Sequence, residues 1–309
     1  MRIVFWGTPD FATPPLRALI GEGFDVVGVV TQPDRPRGRS RSQLDPSPVK
    51  QVAVEEGIAV LQPERPRGPE FVQALRDLDP DLSVVVAYGH ILPREVIDLP
   101  RMGTLNIHAS LLPALRGAAP IQAAIAEGLE ETGVTIMRMV SALDAGPVIH
   151  VLTSPIAPDE TGGELTLRLS ELGATALIEA LALMELGEAR ERPQDDVQAT
   201  FARKIEREDA RVDWTAPAAV VARRIRAYDP KPGAWSTVRD GEVRLFGARA
   251  ITDRSGMPGE VLEADEMGLI VACSDGAVAI REVHPSGKRR MAALDWAQGR
   301  GVAVGDRWS

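Results

Sequence analysis

Hydrophobic and polar residues follow one another along this chain in a pattern whose period changes several times. Near the N-terminus, apolar runs at 2–6 and 24–31 flank a segment whose apolar residues recur at helical spacing. A strand, a helix and a second strand at this spacing predict a right-handed βαβ unit in a parallel sheet. Apolar strands are predicted again at 81–87 and 103–108, and they extend this sheet.

The pattern of the second half predicts a different architecture. A long amphipathic helix over 161–187 closes a first domain, because its leucines and alanines recur at helical spacing. Residues 190–208 are polar without a clear period, which favours a linker. From 234 to 283, short alternating strands separated by glycine-containing turns are typical of a small barrel. The predicted fold is therefore α/β, with a Rossmann-like, mostly parallel sheet in a domain over 1–189 and an OB-like β-barrel domain over 209–309.

The composition is that of a globular protein, with 44% hydrophobic and 26% charged residues. Because no apolar run reaches the ~20 residues that cross a bilayer, and residues 1–5 begin a strand instead of a signal peptide, we expect a cytoplasmic protein without membrane contact. The single cysteine, Cys273, excludes an intrachain disulfide and a cysteine-based zinc cluster. We expect this side chain to be buried.

The net charge of −9 has the wrong sign for nucleic-acid binding through overall basicity. Local basic segments nevertheless stand out. Proline and glycine keep residues 32–46 out of helix and sheet, and four arginines alternate in this loop: Arg35, Arg37, Arg39 and Arg41. A second basic turn carries Lys288, Arg289 and Arg290. Each segment is either a solvated surface turn or an element that binds phosphate groups.

Candidate chemistry is concentrated after the strand at 103–108. Asn106 and His108 are two residues apart, so they lie on the same face of this strand. A carboxylate, Asp144, is predicted at the tip of a tight turn further along the chain. An amide, an imidazole and a carboxylate together could hold a carbonyl oxygen and move protons. Because no nucleophilic side chain accompanies them, this set indicates direct transfer between two bound substrates, although each residue taken alone is more often structural.

The whole string resembles the folate-dependent formyltransferases. The family motif Asn-x-His-x-Ser-Leu-Leu-Pro stands here at 106–113 and is followed by the later Asp144. Members that formylate methionyl-tRNA share Arg-Gly-Ala-Ala-Pro-Ile-Gln, which stands here at 116–122. The similarity covers essentially the whole chain. It implies transfer of the formyl group of 10-formyltetrahydrofolate to the amino group of methionine on initiator Met-tRNA, by a cytoplasmic monomer that needs no metal.

The resemblance also implies roles for individual residues. Asn106 and His108 would donate hydrogen bonds to the oxyanion of a tetrahedral intermediate, and Asp144 would orient His108 and accept the amine's proton, directly or through water. Residues expected to line the folate site are Ser110, Leu111, Leu112, Pro113, Ile91 and Leu92. Residues expected to contact tRNA are Arg35, Arg37, Arg39, Arg41, Lys288, Arg289 and Arg290.

Three alternatives are weighed against this interpretation. A formyltransferase that acts on a small amine would need neither the basic loop at 32–46 nor a second domain. A non-catalytic RNA-binding module would not need the set of Asn106, His108 and Asp144. An oxidoreductase is the least favoured alternative, because the first strand ends in Gly7-Thr8-Pro9 and not in the Gly-x-Gly-x-x-Gly fingerprint of dinucleotide binding.

Overall fold

The structure is a computed structural model, and it describes residues 1–37, 43–239 and 241–309. The chain forms two compact units, each assembled from separated stretches. The first unit comprises Met1–Gly117, Thr132–Ser154 and Thr166–Phe201, and the second comprises Ala118–Glu131, Pro155–Leu165 and Ala202–Ser309. The domain boundaries that we predicted from the sequence, at 189 and 209, remain a prediction.

The strands occupy much of both units. In chain order they are β1 Arg2–Gly7, β2 Asp25–Val30, β3 Arg35–Arg37, β4 Gln43–Asp45, β5 Val60–Leu61, β6 Leu82–Val86, β7 Thr104–His108, β8 Arg116–Gly117, β9 Glu131–Arg138, β10 Val148–Pro155, β11 Phe201–Ala202, β12 Ala234–Val238, β13 Gly241–Ile251, β14 Val261–Asp265, β15 Gly268–Cys273, β16 Gly276–Pro285 and β17 Met291–Ala292. The strands predicted at 2–6, 24–31, 81–87 and 103–108 are therefore confirmed.

The helices begin where the sequence supplies suitable first-turn residues. They are α1 Thr13–Gly21, α2 Pro48–Glu55, α3 Pro69–Asp77, α4 Arg94–Ile97, α5 Pro120–Glu127, α6 Gly162–Glu185, α7 Ala218–Ala227 and α8 Ala293–Gln298. Proline opens α2, α3 and α5, and Ser47 caps α2 by accepting a hydrogen bond from the Lys50 amide at 3.1 Å. Among the described helices, none combines the length and the apolar character that crossing a lipid bilayer requires.

The first unit is built on a mostly parallel sheet with the strand order β10-β9-β7-β6-β1-β2-β5. Strand β1 pairs in parallel with β2 and β6, and β6 pairs in parallel with β7. Only apolar residues and one serine make up β6, and all of them are buried. The serine, Ser83, accepts a hydrogen bond from the Trp6 indole at 3.1 Å, so the buried polar groups of both side chains are paired. This packing fixes β7, the strand that carries the candidate site.

The second unit is built on an antiparallel sheet with the order β12-β13-β16-β15-β14, in which β17 also pairs with β16. Helix α7 packs on β13 and β16. The rings of Trp214 and Trp296 lie 6.2 and 5.9 Å from that of Trp308. Cys273 is buried as predicted, and burial raises the pKa of its thiol to about 12. The predicted fold class is confirmed: a mostly parallel, Rossmann-like sheet and a C-terminal antiparallel β domain.

Candidate active site

Strand β7 delivers two of the predicted site residues at its carboxyl end. Val85 of β6 is the register partner of Asn106. The side-chain amide nitrogen of Asn106, Nδ2, donates a hydrogen bond to the Val85 carbonyl at 3.1 Å. That nitrogen carries a second N–H, which remains for a ligand. The Asn106 Oδ1 atom is buried, and among the described residues it has no hydrogen-bond partner. Since an unpaired buried acceptor costs stability, this asparagine is more typical of a functional site than of a core.

The imidazole of His108 is 6% exposed and is held by a backbone group. Its Nε2 atom lies 3.0 Å from the Leu115 carbonyl oxygen. Because a carbonyl only accepts, Nε2 carries the hydrogen. The other ring nitrogen, Nδ1, lies 3.7 Å from Asp144 Oδ2, which is longer than a hydrogen bond. The Leu115 carbonyl therefore orients the ring through a hydrogen bond, a contact that the sequence did not predict. The Asp144 carboxylate can act on the ring only through its charge, because it makes no hydrogen bond to Nδ1.

Asp144 lies in the turn between β9 and β10, with its carboxylate close to His108. Its φ of +48° is a left-handed conformation that few residues other than glycine adopt, aspartate among them. The Gly117 amide donates a hydrogen bond to Asp144 Oδ2 at 2.8 Å. The turn needs glycine at 146, since a Cβ atom there would collide with the Arg138 carbonyl oxygen. The turn between β9 and β10 thus places the Asp144 carboxylate 3.7 Å from His108 Nδ1.

Residues 110–113 form the loop after β7. The Ser110 hydroxyl donates a hydrogen bond to the Ala114 carbonyl at 2.6 Å, and Thr135 ties this loop to β9 by donating to the Ser110 carbonyl at 2.7 Å. Ser110 is buried, whereas Leu111, Leu112 and Pro113 are half-buried. The hydroxyl of Ser110 therefore serves the loop itself, and the three residues after it present the surface on which a ligand could lie.

In the loop after β6, the two aliphatic residues that we predicted to contact folate differ in their exposure to solvent. Ile91 is 87% exposed, whereas Leu92 is 4% exposed and belongs to the core of the first unit. The Tyr88 carbonyl accepts hydrogen bonds from Thr8 at 3.2 Å and from Gln32 at 3.0 Å. Burial raises the pKa of the Tyr88 phenol to about 12, so this group stays neutral. Of the two aliphatic side chains, only Ile91 is free to meet a ligand.

The basic loop of the first unit contains a short antiparallel hairpin of β3 and β4, so the prediction that residues 32–46 stay out of sheet is wrong. Arg35 donates a hydrogen bond to the Gln32 side chain at 2.6 Å. The backbone of Arg37 is paired with that of Gln43 in the hairpin register. The predicted tRNA contacts Arg39 and Arg41 lie outside the described residues. The Arg35 side chain is connected to the loop after β6, because Gln32 accepts its hydrogen bond and donates another to the Tyr88 carbonyl.

The basic turn of the second unit contains two kinds of side chain. Lys288 and Arg289 are exposed. Arg290 is exposed as well, but it forms ion pairs with Asp229 at 3.1 Å and Glu282 at 2.5 Å, and its guanidinium carbon lies 4.0 Å from the centre of the Phe246 ring. Arg290 therefore stabilises the second unit through these contacts, in addition to carrying part of the charge of this turn.

Comparison with known proteins identifies the family. The family model described as formyl transferase matches residues 1–181, and that of the formyl transferase C-terminal domain matches residues 204–301. The chain belongs to the formyl transferase family. The family predicted from the sequence is thus confirmed.

Named relatives of this formyl transferase match along its length. The methionyl-tRNA formyltransferase of Methylococcus capsulatus is 48% identical over 303 residues, which are 98% of this chain and 98% of that protein. The methionyl-tRNA formyltransferase of Symbiobacterium thermophilum is 46% identical over an alignment of 312 residues, which covers 100% of this chain and 95% of that protein. HypX from Aquifex aeolicus, solved in complex with tetrahydrofolic acid, aligns at 25% identity with a TM-score of 0.67 over 98% of this chain and 48% of that one. This formyl transferase therefore spans about half the length of HypX.

In the part of this formyl transferase that the structure describes, no group of three or more His, Cys, Asp or Glu side chains is placed to hold a metal ion. The groups that hold Asn106, His108 and Asp144 are backbone groups: the Val85 carbonyl of β6, the Leu115 carbonyl and the Gly117 amide of β8. Because the backbone holds these groups in place, the side chains that they bind are oriented before any ligand arrives.

Replacing Arg290 with alanine in this formyl transferase is expected to lower the free energy of unfolding by about 1–3 kcal/mol, because Asp229 is almost fully buried and loses its cationic partner. Urea unfolding followed by circular dichroism measures this change. Arg289→Ala is the matched control, since Arg289 is the exposed neighbour. Equal stability of the two variants would contradict the structural role of Arg290.

Proposed function

We propose that this chain transfers the formyl group of 10-formyltetrahydrofolate to the amino group of methionine on initiator Met-tRNA, for translation initiation. The observations that carry the proposal are the position of Asn106 two residues before His108 on β7 and the 3.7 Å between His108 Nδ1 and Asp144 Oδ2, in a chain that is 48% identical to a methionyl-tRNA formyltransferase over nearly its whole length. A monomer acting in the cytoplasm, where translation starts, is part of the same proposal.

The proposed reaction begins with attack of the methionine amino group on the formyl carbon. A C–N bond forms, and the formyl oxygen becomes an oxyanion. The second N–H of Asn106 Nδ2 donates a hydrogen bond to this oxygen. His108 donates through Nδ1, because its Nε2–H is engaged by the Leu115 carbonyl. A proton on Nδ1 makes the ring cationic, and the Asp144 carboxylate at 3.7 Å attracts this cation.

Proton transfer completes the proposed reaction. The attacking amine loses a proton to Asp144, directly or through one water molecule. The oxyanion then reforms the carbonyl as the bond between the formyl carbon and the folate nitrogen breaks. That nitrogen takes up the proton held by Asp144, directly or through water, which restores the carboxylate. Asp144 is suited to this task because its carboxylate is held by the Gly117 amide at Oδ2 and faces the site. The folate is a substrate consumed in each turnover, and its proposed binding surface is formed by Leu111, Leu112, Pro113 and Ile91.

One assay tests this function. The protein is incubated with a formyl-labelled folate donor and, in parallel reactions, with initiator Met-tRNA, elongator Met-tRNA or glycinamide ribonucleotide. We expect label on initiator Met-tRNA. Label on glycinamide ribonucleotide alone would identify a small-amine formyltransferase. Binding of tRNA without any transfer would identify a non-catalytic RNA-binding protein. Either of the last two results would overturn the proposal.

Charge reversal in the basic loop is expected to separate the two substrates. Arg37→Glu combined with Arg39→Glu should raise the KM for tRNA by about tenfold or more, since each lost phosphate contact weakens binding and its salt dependence. The KM for the formyl donor should change by less than about twofold. Initial rates measured at several salt concentrations check both values.

Arg65 and Arg67 provide a control with the same charge change. They are exposed and form a second Arg-Pro-Arg sequence in the same unit. Arg65→Glu combined with Arg67→Glu should leave the KM for tRNA close to that of the unaltered protein. Equal damage to the KM of tRNA and of the formyl donor in the Arg37 and Arg39 variant would refute the assignment of this loop to tRNA.

A further inference from the structure

Gln194 lies in a segment that we assigned from the sequence to a linker, yet its side chain is half-buried between the exposed residues Pro193 and Asp195. Its amide nitrogen donates two hydrogen bonds, to the Asp144 carbonyl at 2.8 Å and to the Gly146 carbonyl at 2.7 Å. Both carbonyls belong to the turn that carries the Asp144 carboxylate. One side chain therefore holds the backbone of this turn at two points.

The hydrogen-bond partners of the Gln194 side-chain amide determine which way its oxygen and nitrogen face. Its Oε1 atom accepts hydrogen bonds from Arg116 Nε at 3.0 Å and Arg116 Nη2 at 2.8 Å. A guanidinium group only donates, so the amide oxygen must face Arg116 and the amide nitrogen must face the two carbonyls. Arg116 is itself buried and is held by Asp196 at 2.8 Å. The amide is thus fixed from both ends.

Residues 115–117 connect the Gln194 side chain to the rest of the site. The Leu115 carbonyl holds His108, the Arg116 side chain holds Gln194, and the Gly117 amide holds the Asp144 carboxylate. Asp144 is consequently held twice. Its side chain is fixed by Gly117, and its backbone is fixed by Gln194.

The backbone of Asp144 depends on such support. Its φ of +48° is unfavourable for a residue with a side chain, and a conformation of this kind persists where the surroundings determine it. Without the two bonds from Gln194, the turn would be free to relax, and the carboxylate would leave its position beside His108. A shift of about 1 Å at a reacting group is enough to lower a rate by about a hundredfold.

We propose that Gln194 is a positioning residue: it holds the turn 144–146 so that the Asp144 carboxylate stays at its working distance from His108. The proposal rests on the proposed formyl transfer for its kinetic consequence. It adds a residue that does not touch the reacting atoms and that acts through Asp144.

The kinetic test compares Gln194→Met, which keeps the size of the side chain but makes no hydrogen bonds to the turn, with the unaltered protein. We expect kcat to fall by about 10–100-fold while the KM of each substrate changes by less than about twofold. Gln198→Ala is the matched control, because Gln198 lies in the same segment and bonds to Asp195. It should leave kcat unchanged.

A double-mutant cycle distinguishes positioning from a general structural role. If Gln194 acts through Asp144, then Gln194→Met should lower kcat by less than about twofold in a protein that already carries Asp144→Asn. A loss of the same size in both backgrounds would overturn the proposal. Unchanged kcat in Gln194→Met alone would overturn it as well.

A measurement without substrates separates this proposal from the proposed function. The Gly117 amide is protected by its bond to Asp144, so Gln194→Met should raise its hydrogen-exchange rate by about tenfold or more, while the exchange rates of the amides in the buried strand β6 rise less. Gln198→Ala should not. An unchanged exchange rate refutes the positioning role even if formyl transfer is found. A raised rate supports positioning even if the protein transfers no formyl group.

Discussion

Asn106→Ala is expected to lower kcat for formyl transfer by about 10²–10³-fold at saturating concentrations of both substrates, because in the proposed mechanism it removes a fixed hydrogen-bond donor to the developing oxyanion. The effect should appear in kcat and in kcat/KM alike, since the donor acts on the transition state more than on either bound substrate. Single-turnover measurements with labelled formyl donor check this expectation. Near-normal turnover would show that Asn106 does not contact the oxyanion.

The same substitution should leave the fold nearly intact. Alanine forfeits one hydrogen bond, to the Val85 carbonyl, worth about 0.5–1.5 kcal/mol, and it also removes the unpartnered Oδ1 acceptor. A small change of melting temperature combined with a large loss of kcat would separate catalysis from stability. Asn106→Asp offers a second variant of nearly the same shape. It should be at least as slow, because its carboxylate repels the oxyanion.

Asp144→Asn is expected to lower kcat by about 10²–10⁴-fold, the range typical of lost proton transfer. The asparagine oxygen can still accept the hydrogen bond from the Gly117 amide, so the turn should keep its shape. What is lost is the negative charge beside His108 and the capacity to take up the proton of the amine. Rates of formyl transfer at saturating substrate concentrations measure the effect.

Two comparisons sharpen this second prediction. Asp144→Ala also breaks the bond to Gly117, so any further loss beyond that of Asp144→Asn reports on the position of the turn. Asp77→Asn is a control in the same unit, because Asp77 is exposed and accepts a hydrogen bond from Gln73 at 2.7 Å. If Asp144→Asn turned over as fast as Asp77→Asn, the assignment of the proton acceptor would be wrong.

The sheet of the first unit and part of its site could be predicted because both depend on local patterns. Buried parallel strands are near-continuous apolar runs, and β1, β2 and β6 are of this kind. The period of two along a strand places Asn106 and His108 on the same face without knowledge of the rest of the chain. The turn pattern makes Asp144 a candidate, but its place beside His108 required the family resemblance, because nothing in a turn sequence indicates which distant residue the turn approaches.

Other site features depend on contacts that no local pattern records. The Leu115 carbonyl that holds His108 is a backbone group, and every residue has one. Gln194 lies in a polar stretch where nothing distinguishes it from its neighbours until the structure places it against Arg116. Similarly, Arg290 reads as one more cation of a basic turn, although the structure pairs it with two carboxylates. Sequence patterns report which face of a strand is polar, but not which distant group a polar side chain meets.

Each unit is assembled from separated stretches of the chain, and this affects any attempt to produce one unit without the other. Helix α5 belongs to the second unit, where it packs on α7, and the Arg223 side chain donates a hydrogen bond to the Ala126 carbonyl at 3.4 Å. A protein shortened to end at residue 201 would keep α5 but discard α7, and the apolar side of α5 would then face water. No single cleavage of the polypeptide yields either unit whole, so excision of the second unit would require rejoining chain ends.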